Sequence, residues 1–122
     1  MHVVLVVEDD PDIRATLCEA LEDNGYSAVA ASNGVEALEY LRGGNVTPCL
    51  ILLDLMMPVM DGQAFRQEQR NDATLASIPV VVVSAYRDLD KYAEQLATEC
   101  LPKPVRLDTL LQTARKHCDS AA

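Results

Sequence analysis

Basic residues are scarce: ten Lys and Arg stand against nineteen Asp and Glu in 122 residues, a formal net charge of −9. Phosphate contacts to nucleic acid need clusters of Lys and Arg, so that partner class is excluded, whereas a metal cation or a basic protein surface suits the charge. Long hydrophobic runs are missing as well. The longest, Val3 to Val7 and Cys49 to Leu53, are strand-length and far short of a membrane span. Met1 leads straight into the first of them, with no basic stretch or small-residue cleavage site that would mark a signal peptide. A cytoplasmic protein without membrane contact is expected. The four cysteines, Cys18, Cys49, Cys100 and Cys118, form no C-x-x-C pair, and they read as reduced thiols rather than as a disulfide or metal framework. Repeats, low-complexity tracts and linkers are lacking too, and the length suits one compact domain spanning residues 1–122 with no output domain attached.

What is present is an alternation of short apolar runs and helical patterns. Val3 to Val7 is continuous and β-branched, as expected of a strand buried on both faces. Asp10-Pro11 then opens a helix as N-cap and first helical residue, with Ile13, Leu17 and Leu21 as its core stripe and Gly25 at its close. Tyr26 to Ala30 reads as the second strand. Gly34 to Arg42 reads as a helix with Val35, Leu38 and Leu41 inward, and Leu50 to Leu53 as the third strand. A poor helical stripe follows from about Gln63 to Arg70, where Ala64 and Phe65 are apolar but Gln67, Glu68 and Gln69 are not. Ile78 to Val83 contains the fourth strand, and Leu89, Tyr92, Ala93 and Leu96 mark a fourth helix. A very short strand precedes Lys103-Pro104, and Leu107, Leu110, Leu111 and Ala114 mark the last helix. Five strands each followed by a helix predict an α/β fold: a doubly wound parallel sheet with helices on both faces and right-handed crossovers.

In such sheets ligands bind beyond the carboxyl ends of the strands. There the chain places Glu8-Asp9-Asp10, Asp54, Ser84-Ala85 and Lys103-Pro104. Alone, the first acids read as helix caps, Ser84 as a turn residue and Lys103 as a solvated lysine; gathered at one rim they do not. Crowding carboxylates costs roughly 4 kcal/mol per close pair at an effective dielectric of about 20. A hard divalent cation removes that cost, and Mg²⁺ prefers a few carboxylates with water and phosphate oxygens. The set suits phosphoryl transfer to a carboxylate, with Asp54 as nucleophile and Mg²⁺, Lys103 and the Ser84 hydroxyl on the phosphoryl oxygens.

The stretch Asp54-Leu55-Met56-Met57-Pro58-Val59-Met60-Asp61-Gly62, with Val6-Val7-Glu8-Asp9 and Leu101-Pro102-Lys103-Pro104, resembles the receiver domains of two-component response regulators over essentially the whole chain. The resemblance implies a flavodoxin-like sheet of order 2-1-3-4-5, phosphorylation on Asp54, and Mg²⁺ held by Glu8, Asp9, Asp54 and the Met56 backbone carbonyl. It implies that Ser84 and Lys103 contact the phosphoryl group. The resemblance further implies a phosphohistidine donor on a sensor histidine kinase or phosphotransfer protein, and output through contact with a downstream protein. No enzyme activity is expected beyond catalysis of its own phosphorylation and dephosphorylation.

Cys100 departs from the family, which usually carries Tyr or Phe three residues before the lysine as a rotamer switch. The Ser84–Lys103 segment is also a few residues short. Together these predict a monomer on activation, signalling through the loops around Asp54, Ser84 and Tyr86. Three other readings compete. A flavin module lacks its phosphate loop, because Glu8-Asp9-Asp10-Pro11-Asp12 repels phosphate. A Mg²⁺-dependent phosphatase lacks a second acid two residues after Asp54. The third is a degenerate receiver acting as an unphosphorylated binding module.

Overall fold

A computed structural model describes residues 2–44, 46–54, 60, 62–85 and 99–119, with the side chains of 62, 63, 84, 85 and 119 excepted. The elements run β1 (Val3–Val7), α1 (Pro11–Asp23), β2 (Ser27–Ala31), α2 (Gly34–Arg42), β3 (Leu50–Asp54), α3 (Gly62–Asn71), β4 (Val80–Ala85), β5 (Glu99–Lys103) and α4 (Leu107–Ala114). A wider, π-type turn over Arg115–Asp119 continues α4. All strands are parallel in the order β2-β1-β3-β4-β5. The doubly wound sheet expected from the alternation is therefore present. The expected helix through Leu89, Tyr92, Ala93 and Leu96 lies outside the described residues, as do Met56 and Tyr86.

The apolar strands bury alternate side chains in two separate cores. Leu5, Val7, Ile51, Leu53, Val80 and Val82 pack with Ala37, Leu38 and Phe65 of α2 and α3. Val4, Val6, Leu50, Leu52, Val81 and Val83 pack with Leu17, Leu21, Leu110 and Ala114 of α1 and α4. This is why β1 and β3 read as unbroken hydrophobic runs: neither face meets water. Pro102 sits in β5, an edge strand, where a missing N–H costs least.

The helix ends follow local chemistry. The Asp10 carboxylate accepts from the Asp12 and Ile13 N–H groups, and Pro11 follows it. After α1, Gly25 takes φ +91°, a conformation open to few other residues. Three stripe residues are misplaced by periodicity alone. Ile13, Val35 and Leu107 are exposed: each opens its stripe in the first turn of its helix, short of the core that Leu17, Leu21, Leu38, Leu110 and Ala114 enter. Gln69 is fully buried instead. Its amide nitrogen donates to the Leu75 and Ile78 carbonyls and its amide oxygen accepts from Arg66. A polar residue fits there because it satisfies the backbone of the loop leading into β4.

The cysteine expectation is corrected. Cys49, just before β3, and Cys118, in the last turn, form a disulfide across 69 residues, leaving Cys18 and Cys100 as thiols. Spacing could not reveal the pair. It exists because the parallel sheet sets the start of β3 under the end of the last helix.

Candidate functional site

The sheet register assembles the site. Val7 pairs with Leu53, so one step further along the parallel strands brings Glu8 beside Asp54 with both side chains on the α1/α4 face. Lys103 ends β5, two strands away, and its four-carbon stem spans β4. Its Nζ lies 3.1 Å from Asp54 Oδ1 and 3.3 Å from Glu8 Oε1. Asp9 completes the group: one ligand oxygen from each of Glu8, Asp9 and Asp54 falls within 4.8 Å of the others. Glu8 and Asp54 are each 3 % exposed, whereas Asp9 is open to solvent.

Arg14, one turn into α1, was not singled out by sequence reasoning. Its guanidinium donates to the Glu8 carbonyl at 2.9 Å and to the Asp9 carbonyl at 3.4 Å, pinning the loop that carries both acids. Its signal was weak: a cation five and six residues after an acidic pair. Ser84 lies on the β4 backbone opposite Pro102 of β5, but its side chain is outside the described residues. Beside the carboxylates a cavity of about 460 Å³ opens between α1 and the start of α4, lined by Ile13, Leu17, Leu52, Val83, Val105 and Leu107. The exposed Ile13 and Leu107 are its walls.

Burial, then the hydrogen bond and charge of Asp54, push the Glu8 carboxyl up to about 8; Lys103 opposes this. Asp9 is raised by the same causes in the same order. For Lys103, burial works against the ammonium, but Asp54 and Glu8 together outweigh it and hold the group above its ordinary value. Three carboxylates sharing one ammonium are thus under-neutralised. The donor set is all hard oxygen, which fits Mg²⁺.

A pH test follows. Folded Glu8 holds its proton up to about 8, while the unfolded chain releases it near 4.5. The folded state therefore binds more protons across that window, and stability falls as pH rises through it. Mg²⁺ held by the three acids would favour their ionised forms and oppose the loss. Thermal melts in chelator should fall between about pH 5 and pH 8, and melts in millimolar Mg²⁺ should not. A melting temperature in chelator that climbs with pH would contradict the raised Glu8.

The sequence model described as response regulator receiver domain matches residues 4–115. The chain belongs to the response regulator receiver domain family. The response regulator MprA of Mycobacterium sp. (strain KMS) is 36 % identical over 115 residues, 92 % of this chain and 48 % of that protein. The chain thus spans about half the length of that curated relative. The sensor histidine kinase CheAY of Helicobacter pylori is 33 % identical over 106 residues, 84 % of this chain and 13 % of that protein. Among solved structures, the receiver domain of the Francisella response regulator 1452 superposes with a TM-score of 0.86 at 27 % identity, covering 100 % of both chains. The fold is that of the receiver domains, and the family is a signalling module rather than a conventional enzyme. Among the described residues no helix is long and apolar enough to cross a membrane.

Proposed function

We propose that this receiver domain accepts a phosphoryl group on Asp54 from a phosphohistidine of a sensor histidine kinase or phosphotransfer protein. The observation that carries the reading is the trio of converging carboxylates with the Lys103 ammonium on two of them. A carboxylate oxygen of Asp54 attacks phosphorus; the new O–P bond forms as the donor's N–P bond breaks, and the imidazole keeps the electron pair and takes up a proton. Lys103, already 3.1 Å from Asp54, exchanges that contact for a phosphoryl oxygen, and Ser84 supplies a hydroxyl to another. Glu8, Asp9, Asp54 and the Met56 backbone carbonyl would hold Mg²⁺, with Arg14 fixing the loop that presents the first two. When bound, the ion neutralises the crowded acids and polarises the phosphoryl oxygens. The phosphorylated domain acts on a downstream protein as a cytoplasmic monomer.

Acetyl phosphate with Mg²⁺ should add a single phosphoryl group, seen by intact mass, and chelator should suppress it. No adduct would sink the acceptor reading; an equal adduct in chelator would sink the metal. The unphosphorylated binding module is the reading left if none forms. The apolar cavity gives a second test. A protein donor that delivers phosphate to Asp54 must cover it, since Ile13 and Leu107 flank the approach. Ile13→Asp should slow transfer from a phosphorylated partner at least about tenfold by burying a charge in the interface. Acceptance from acetyl phosphate should be unchanged. Equal slowing with both donors would place Ile13 in the chemistry instead.

A further inference from the structure

The Cys49–Cys118 disulfide lies at the end of β3 opposite Asp54, five residues or about 16 Å of strand away. Nothing in the phosphoryl chemistry uses it. Its two sulfurs are not equivalent. Cys118 is buried, 1 % exposed, within the α1/α4 core, whereas Cys49, which follows the buried Pro48, is only partly covered. An external thiolate therefore reaches Cys49 first. The reduced state is also provided for: the Val3 carbonyl lies 3.3 Å from Cys49 Sγ, where a thiol would donate to it.

The bridge holds the turn over Arg115–Asp119. Besides the backbone hydrogen bonds that join it to α4, the turn carries the ion pairs of Lys116 and His117 with Glu99, at 2.9 and 3.4 Å, and such partly exposed pairs contribute little. Cys118 is the one residue of that turn packed in the core among those whose side chains are described. The two remaining thiols are poor competitors for exchange. Burial, then Glu22, raises Cys18, and burial, then Glu99, raises Cys100, which keeps both protonated.

We propose that Cys49 and Cys118 are a reversible redox site, reduced by a protein dithiol and reoxidised by a disulfide carrier, that locks or frees the C-terminal helical turn. In reduction a thiolate of the dithiol attacks Cys49 Sγ and the S–S bond breaks. The electron pair leaves on Cys118 Sγ, which takes a proton. The dithiol's second sulfur then attacks its own half of the mixed disulfide and releases Cys49, which is protonated in turn. Two electrons and two protons pass, and the reductant leaves as a disulfide. Reoxidation runs the same exchange backwards. Reversibility rests on the cytoplasmic reading, since disulfides that form in reducing compartments are mostly transient.

The full chain is equilibrated in glutathione buffers from oxidising to reducing, free thiols are alkylated, and peptides are mapped by mass. The expected result is one two-thiol transition confined to Cys49 and Cys118, returning along the same curve on reoxidation. Amide exchange over residues 107–119 should be about tenfold faster in the reduced protein and in Cys49→Ser. Acetyl phosphate should still label Asp54 equally in both redox states, so failure here is separate from failure of the phosphoacceptor reading. A bridge that resists millimolar dithiol in the folded protein, a pair that never oxidises, or unchanged exchange over 107–119 on reduction would each overturn the proposal.

Discussion

Asp54→Asn should give no phosphoryl adduct with acetyl phosphate and Mg²⁺, leaving the intact mass of the chain unchanged. An amide is no nucleophile at neutral pH, and neither neighbouring acid replaces Asp54. On the proposed reading Glu8 is taken up as a Mg²⁺ ligand and by the Lys103 ammonium at 3.3 Å. Asp9 lies on an exposed loop. The substitution should have a second, independent consequence. After burial, Asp54 is the next cause of the raised Glu8, so its loss should let Glu8 fall part of the way back towards 4.5. Side-chain carboxyl NMR titration measures this directly. An adduct that survives on Glu8 or Asp9 would unseat Asp54, and a Glu8 titration unmoved by the change would mean that the carboxylates do not interact as their geometry implies.

Cys49→Ser should lower the unfolding free energy by about 4 kcal/mol, and reduction of the wild-type chain should do the same. A cross-link over 69 residues restricts the unfolded chain, and the loop-entropy relation gives about that magnitude. For a domain of this size the melting temperature should drop on the order of 15 °C. The serine hydroxyl can donate to the Val3 carbonyl, so little besides the cross-link is lost at this position. Cys118→Ser should cost about 1–2 kcal/mol more, because its hydroxyl enters an apolar core. Urea unfolding of the oxidised and reduced wild type and of the two serine variants checks these differences. Equal stability of oxidised and reduced protein would show that the bridge does not constrain the unfolded ensemble.

The candidate site was legible because each member ends or closely follows a strand. In a parallel α/β sheet, strand ends converge at one rim whatever their separation in sequence, so Glu8, Asp9, Asp54 and Lys103 could be grouped before any distance was known. The same periodicity misjudged Ile13, Val35 and Leu107. A helical stripe tells which residues share a side, but not how far along the helix the sheet extends. Gln69 looked like a flaw in α3 for a related reason: the loop carbonyls it satisfies at Leu75 and Ile78 are invisible until the chain has turned back on itself.

Alternation of runs and helices, acidic charge and strand-end chemistry were thus determined by the sequence itself, because they depend on short-range spacing and on a sheet architecture with few solutions. Tertiary structure alone decided the Lys103 contacts across β4, the Arg14 clamp on the acidic loop, the apolar cavity beside Asp54, and the pairing of Cys49 with Cys118. Each of these joins residues whose proximity depends on how helices pack over the sheet, and no local pattern encodes that distance.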